Sequence, residues 1–169
     1  SPYVPNYFVP GIDTQAYPET IKYLQDKHGF ETLYHAISMG VDLTNFKIPP
    51  ELKARMQRSE QEEDLTIRQV SSSDIVDLMP FLIEHFGWDW YRHAQSYLLE
   101  YFGDSPNRIC FLVAKLKGEI VGFCQQKNER FGPFGVREDC RRRGIGRMLL
   151  FKCLEIMSSN HIFYSYFLW

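Results

Sequence analysis

Val136-Arg-Glu-Asp-Cys-Arg-Arg-Arg-Gly-Ile-Gly-Arg147 is the stretch whose reading decides the fold. It leaves a short β-like run and opens an apolar helix over residues 148–157. Within it, Arg141-x-x-Gly144-x-Gly146 sets two glycines where the backbone must turn tightly and leave no Cβ in the way. The amides of such a loop, with the first free N–H groups of the helix, converge on one spot. A helix start carries about half a positive charge, so that spot is a ready site for a pyrophosphate. Arg141, Arg142 and Arg143 in a row, and Arg147 just inside the helix, add positive charge. The stretch is built to hold a phosphorylated ligand.

Working outward, the order of elements supports that reading. Residues 64–70 alternate polar and apolar as a half-buried strand does. Ser73-Asp74 makes an N-cap for an apolar helix to Phe86, and a second helix covers residues 91–101, with Gly103 as its stop. Residues 108–115 and 119–126 are strands joined at Lys117-Gly118, a hairpin signal. Residues 131–136 form a third strand interrupted by Gly132, Pro133 and Gly135, which suits a strand that bulges or splays. A helix over 147–158 and an apolar strand over 162–169 complete the series.

Loop and order together resemble the GNAT acetyltransferase superfamily. Val136 matches the valine that ends the family's fourth strand, and Arg141, Gly144 and Gly146 match its acetyl-CoA loop. Glu138 stands where a proline is common and Cys140 where an aromatic is common. The resemblance implies an α/β (α+β) acyl-CoA N-acyltransferase fold, a mixed central sheet flanked by helices. It also implies that another helix and two strands should follow residue 169. Without them, residues 163–169 would be an apolar strand with an open edge, an aggregation hazard.

The N-terminal segment offers a replacement. Tyr7-Phe-Val resembles Tyr166-Phe-Leu, Pro18–His28 reads as a helix with proline at its start and glycine after its end, and residues 31–39 and 41–46 read as strands. Leu24-Gln-Asp-Lys-His-Gly-Phe30 resembles the family's late-helix signature. Residues 1–46 thus look like the tail of a preceding GNAT-like repeat, 47–63 like a partly helical linker, and 64–169 like an acetyltransferase domain lacking its usual end. On this reading the chain is a piece of a tandem protein, and the tail docks on the sheet within the chain or by exchange in a homodimer. An unrelated N-terminal extension is the competing reading.

Composition narrows the function. A chain of 169 residues suffices for one well-cored domain, and 44% hydrophobic with 15% aromatic residues excludes a disordered chain. A net charge of −2 implies no general affinity for nucleic acid, and no apolar run reaches the length of about 18 residues that suggests a membrane span. The start, Ser-Pro-Tyr-Val-Pro, lacks the features of a signal peptide. Cysteines 110, 124, 140 and 153 show no metal-ligand spacing, so no metal is expected, and their pattern fits a reducing cytoplasm.

By resemblance, the loop residues Arg141, Arg142, Arg143, Gly144, Ile145, Gly146 and Arg147 bind acetyl-CoA, while main chain around Phe134 and Val136 holds its pantetheine arm. Glu129 is the best-placed carboxylate for a general base, against a solvated turn residue. His85 and His93 flank Gly87-Trp-Asp-Trp-Tyr-Arg92, where Trp88, Trp90 and Tyr91 stack on the acceptor or simply pack. The family's thiolate acid, a tyrosine on the late helix, is matched here by Gln25, which cannot donate a proton at useful pKa. The expected function is acetyl transfer from acetyl-CoA to a primary amine of a small molecule or peptide. A non-catalytic acyl-CoA-binding or structural repeat is the alternative.

Overall fold

The computed structural model describes residues 11–103 and 108–167. In chain order the elements are α1 (Pro18–His28), β1 (Met39–Asp42), α2 (Pro50–Glu63), β2 (Leu65–Gln69), α3 (Ile75–Phe86), α4 (Trp88–Tyr101), β3 (Ile109–Leu116), β4 (Glu119–Lys127), β5 (Arg130–Val136), α5 (Ile145–Ser159) and β6 (Tyr164–Phe167). The strands form one mixed sheet in the order β1-β6-β5-β4-β3-β2, antiparallel throughout except where β5 meets β6.

The hairpin β3–β4 is the centre of this sheet. Lys117 and Gly118 both hold positive φ, 51° and 86°, the conformation a tight two-residue hairpin requires. Period-two alternation then divides β3 between two cores. Cys110, Leu112 and Ala114 join the cluster that includes Met148, Leu149, Cys153 and Met157 of α5. Phe111 and Val113 join the other, with Leu78, Phe81 and Leu82 of α3 and Ala94, Tyr97 and Leu98 of α4. Helix α5 buries Ile145, Met148, Leu149, Cys153, Leu154 and Met157, a stripe at helical spacing. Fully burying each larger apolar side chain contributes about 1.5–3 kcal/mol.

The start of α3 is fixed by charge. Ser71 and Asp74 form a capping box around a short 3₁₀ turn, Ser72–Asp74, and the helix begins one residue later. Asp74 is buried and takes two bonds from Arg68, at 2.6 and 2.8 Å, and one from Lys115 at 3.3 Å.

The N-terminal segment does supply an edge strand. β1 pairs antiparallel with β6 within the one chain, Val41 opposite Ser165. Leu43 behind it is wholly buried; its N–H donates to the Phe163 carbonyl (2.8 Å) and its own carbonyl accepts from Ser158 Oγ (2.9 Å). The rest of that segment departs from expectation. Of the strand expected over 31–39, only Met39 is in strand conformation, at the start of β1. The one expected over 41–46 ends at Asp42, whose carboxylate accepts from the Thr44 N–H and turns the chain. Helix α1 forms as read, but buries no residue and so covers no sheet face. Tyr7-Phe-Val lies outside the described residues, as do Leu168 and Trp169. The segment read as a linker contains α2, whose Leu52 enters the core beneath β2.

Candidate functional site

The glycine loop is built as a helix start that no described side chain caps. Gly144 is the N-cap of α5 in the left-handed conformation (φ 82°), and no side chain caps the helix. The first three amides of α5, at Ile145, Gly146 and Arg147, have no carbonyl a turn earlier within the helix to bond. A Cβ on Gly144 would meet nothing within 4 Å, so the space before the helix is open. Arg142 also holds positive φ, 63°. Arg141, Arg142, Arg143 and Arg147 are exposed, whereas the Ile145 side chain is buried and leaves only its backbone to the site.

Side chains brace the loop from three directions. Arg141 Nε donates to the Val136 carbonyl (3.1 Å), joining the loop to the end of β5. Arg143 pairs with Glu63 of α2 (2.8 Å), which also pairs with Arg55 (2.7 Å). The hydrogen bond from Arg143 holds the Glu63 carboxyl below its ordinary range. Arg137 pairs with Asp139 (2.8 Å) and, more loosely, with Glu119 (3.4 Å), so Asp139 orients the loop. Cys140 is buried beneath it, with the Arg137 guanidinium 3.7 Å from its sulfur. Two of the loop arginines are therefore engaged, and Arg147 lies over the Phe151 ring at 5.6 Å. Beside the loop, an open groove of about 440 Å³ is lined by Glu84, His85, Arg137, Glu138 and Asp139.

Strand β5 leads to this loop. Phe134 and Val136 contact the space where a Gly146 Cβ would stand, at 3.7 Å each, so strand and helix start are in touch. The register between β4 and β5 slips between Cys124 and Gln126: Cys124 pairs with Phe134, but Gln126 with Phe131. Gly132 and Pro133 therefore stand opposite the single residue Gln125. Among the described residues the strand pairs with β6 at Arg130, opposite Tyr166. Glu129 is exposed in the preceding turn, and its carbonyl accepts from the Tyr166 N–H (2.9 Å).

Of the aromatic group, Trp90 stacks on Phe86 at 5.3 Å and meets Phe123 edge-on at 5.7 Å, as a packing residue does. Trp88 is 60% exposed and touches Tyr91 edge-on at 5.3 Å. The structure also brings together a pair that the sequence reading passed over. His93 Nδ1 lies 3.0 Å from Gln125 Oε1 on the α4 side of the sheet. Burial lowers the His93 pKa, against the hydrogen bond to Gln125. The available signal was Gln125-Gln126 inside an otherwise apolar strand. Gln25 is exposed on α1, with its Nε2 3.3 Å from Thr32 Oγ1. Among the described residues no cluster of three metal-ligating side chains occurs, and no helix is long and apolar enough to cross a membrane.

Residues 75–169 match the family profile described as the acetyltransferase (GNAT) family. No curated protein sequence matches the chain. Among solved structures, a glucosamine N-acetyltransferase region of a fungal multi-domain GH3 β-N-acetylglucosaminidase superposes with a TM-score of 0.74 at 19% identity. That match covers 96% of this chain and 21% of the other. A Drosophila protein superposes with a TM-score of 0.53 at 14% identity, covering 90% of this chain and 48% of the other. The chain thus spans less than half the length of either structure. At these identities the likeness is one of fold.

Proposed function

The chain belongs to the acetyltransferase (GNAT) family, and on that premise we propose that it moves an acetyl group from acetyl-CoA to a primary amine of a small molecule or peptide. One observation carries the proposal: an uncapped helix start, opened by a left-handed Gly144, beside the exposed end of β5. These residues fit the donor. The amides of Ile145, Gly146 and Arg147 suit the pyrophosphate, helped by the helix dipole, and Arg142 and Arg147 suit its charge. The β5 backbone from Phe134 to Val136 suits the pantetheine arm. Bound acetyl-CoA supplies the thioester that is attacked.

Transfer forms the new nitrogen–carbon bond and breaks the carbon–sulfur bond. The amine proton leaves to a base, and the thiolate gains one. Glu129 is the proposed base, directly or through water, and its exposed place at the start of β5 supports that role. Trp88 and Tyr91 are proposed to border the acceptor, with Trp90 behind them. Holding two substrates in line supplies much of the rate enhancement without strong acid–base groups. The four thiols, all free and buried, fit a reducing compartment such as the cytoplasm.

A second reading, a non-catalytic acyl-CoA-binding or structural repeat, is favoured by Gln25, which gives no proton donor at the late-helix position. We further propose that residues 1–46 are the tail of a preceding repeat, 47–63 a partly helical linker and 64–169 the transferase domain; the β1–β6 pairing supports the docking of that tail on this sheet. The test is a thermal-shift titration with acetyl-CoA and CoA, followed by an amine-panel acetylation assay. Both ligands should raise the melting point. Binding without acetylation of any amine would favour an acyl-CoA-binding repeat, and no binding would sink acetyl transfer and leave a structural repeat.

A further inference from the structure

Gln125 is wholly buried, and its Nε2 has no hydrogen-bond partner. Its neighbour Gln126 is as deeply buried but satisfied, donating to the carbonyls of Arg108 and Asn128. Leaving a buried donor unmet is destabilising, and such a group in an otherwise satisfied core points to a partner from outside.

Its surroundings indicate the partner's chemistry. Phe123, Gln125 and Lys127 follow one another on the α4 face of β4. Above them lie Trp90, His93 and Tyr97 in the same order: Trp90 on Phe123 at 5.7 Å, His93 on Gln125 at 3.0 Å, and the Lys127 ammonium 5.7 Å from the Tyr97 ring. Arg130 stands opposite Lys127 in the β4–β5 ladder, so it shares this face. It lies diagonal to Gln125, at about 7–8 Å between backbones, within reach of a long side chain. Lys127 is neutralised by Glu100 at 2.6 Å, but Arg130 makes no ion pair among the described residues. Burial first, and the Arg130 charge with it, oppose protonation of His93. The face therefore holds a guanidinium with no ion pair among the described residues and an unmet amide N–H, both of which suit an anion with acceptor oxygens. Gly132-Pro133 of β5 stand opposite Gln125 in the β4–β5 ladder.

We infer that this face binds a carboxylate on the acceptor, so that the substrate is an amine that also carries a carboxylate. Arg130 takes the carboxylate through paired hydrogen bonds, and Gln125 Nε2 donates to it. The inference rests on the acetyl-transfer reading above and narrows its acceptor.

The test compares kcat/KM for butylamine with 4-aminobutanoate and for hexylamine with 6-aminohexanoate. The proteins are the unaltered chain, Arg130→Gln, Arg130→Lys and Gln125→Leu, with acetyl-CoA binding followed by thermal shift. The unaltered chain should prefer the carboxylate member of each pair by about tenfold or more, the scale of charge-assisted bonds. Arg130→Gln should lose the preference with its acetyl-CoA shift intact, and Arg130→Lys should recover part of it. Gln125→Leu should lose several-fold in preference with its acetyl-CoA shift intact; it also removes the hydrogen bond to His93, so its melting point is not the readout. Equal rates within each pair, or a preference that survives Arg130→Gln, would overturn the inference and leave acetyl transfer standing. Should no amine be acetylated, the thermal shift with 6-aminohexanoate decides. A shift absent with hexylamine and absent in Arg130→Gln supports the site; no shift overturns it. Loss of acetyl-CoA binding by the unaltered chain would instead sink the acetyl-transfer reading.

Discussion

Gly144→Asn and Gly144→Asp should separate the shape of the loop from its charge. Gly144 holds φ 82°, where a side chain on an ordinary residue costs about 1–2 kcal/mol, but asparagine and aspartate tolerate this region best. A Cβ there meets nothing within 4 Å, so neither substitution clashes. The two side chains have nearly the same size, and the carboxylate is favoured at a helix start by about 0.3–1 kcal/mol. The aspartate variant should therefore melt at or above the asparagine one. Binding should go the other way. A carboxylate about 5 Å from a phosphate charge is repelled by about 0.8 kcal/mol in bulk water. Two such charges on a pyrophosphate make about 1.7 kcal/mol, or roughly fifteen-fold in Kd, a lower bound for a site drier than water. Isothermal titration of CoA at low ionic strength measures the ratio, and about 1 M salt should shrink it, since the screening length falls to about 3 Å. Equal affinities in the two variants at low salt would refute the placement of the pyrophosphate on this loop.

Three further outcomes follow from packing and charge. Gly122→Ala should lose about 1–3 kcal/mol in chemical denaturation, because its Cβ would stand 3.1 Å from the Gly135 carbonyl and 3.2 Å from Leu149. Leu43→Ala should cost about 2–5 kcal/mol by the same measurement, since a wholly buried side chain is removed behind β1. The Arg68 pair, foremost, holds the Asp74 carboxyl far below the usual carboxylate range. A depressed folded-state value means that its stabilisation is complete above about pH 4 and is lost as pH falls below that. Melts from pH 7 to 2 should show a steep acid limb that flattens in Asp74→Asn; an unchanged limb would remove the ion pair as its cause.

What was legible in the sequence was local. Lys117-Gly118 gave the hairpin because a two-residue turn admits few residue types, and Gly144 gave the helix start because a left-handed cap favours glycine. The α5 stripe was legible because its period matches one buried face. Long-range partners were not. Residues 31–38 carry apolar side chains like those of a strand, yet they form none, and a side-chain pattern does not by itself disclose whether a strand lies alongside to pair with. Trp88 begins α4, three residues before the helix expected at Tyr91, because Gly87 (φ 87°) ends α3 and lets the chain re-enter a helix at once. Within the candidate site, Arg141 and Arg143 read as phosphate contacts, but their engagement by Val136 and Glu63 depends on where β5 and α2 come to rest. The His93–Gln125 pair joins residues on separate elements and left only a polar interruption in β4 as its trace.

The pairing of β1 with β6 also sets an order of events during synthesis. Among the described strands β1 bonds to β6, so its partner emerges from the ribosome only after β2, β3, β4 and β5 are made. Contacts this distant in sequence are slow to close, because chain entropy must be lost before they form. Until then Met39, Val41 and Leu43 wait without a partner beside a sheet that is already growing. Until β6 is made, residues 39–43 are therefore open to misassociation, and a chaperone that holds extended apolar stretches would find a target there.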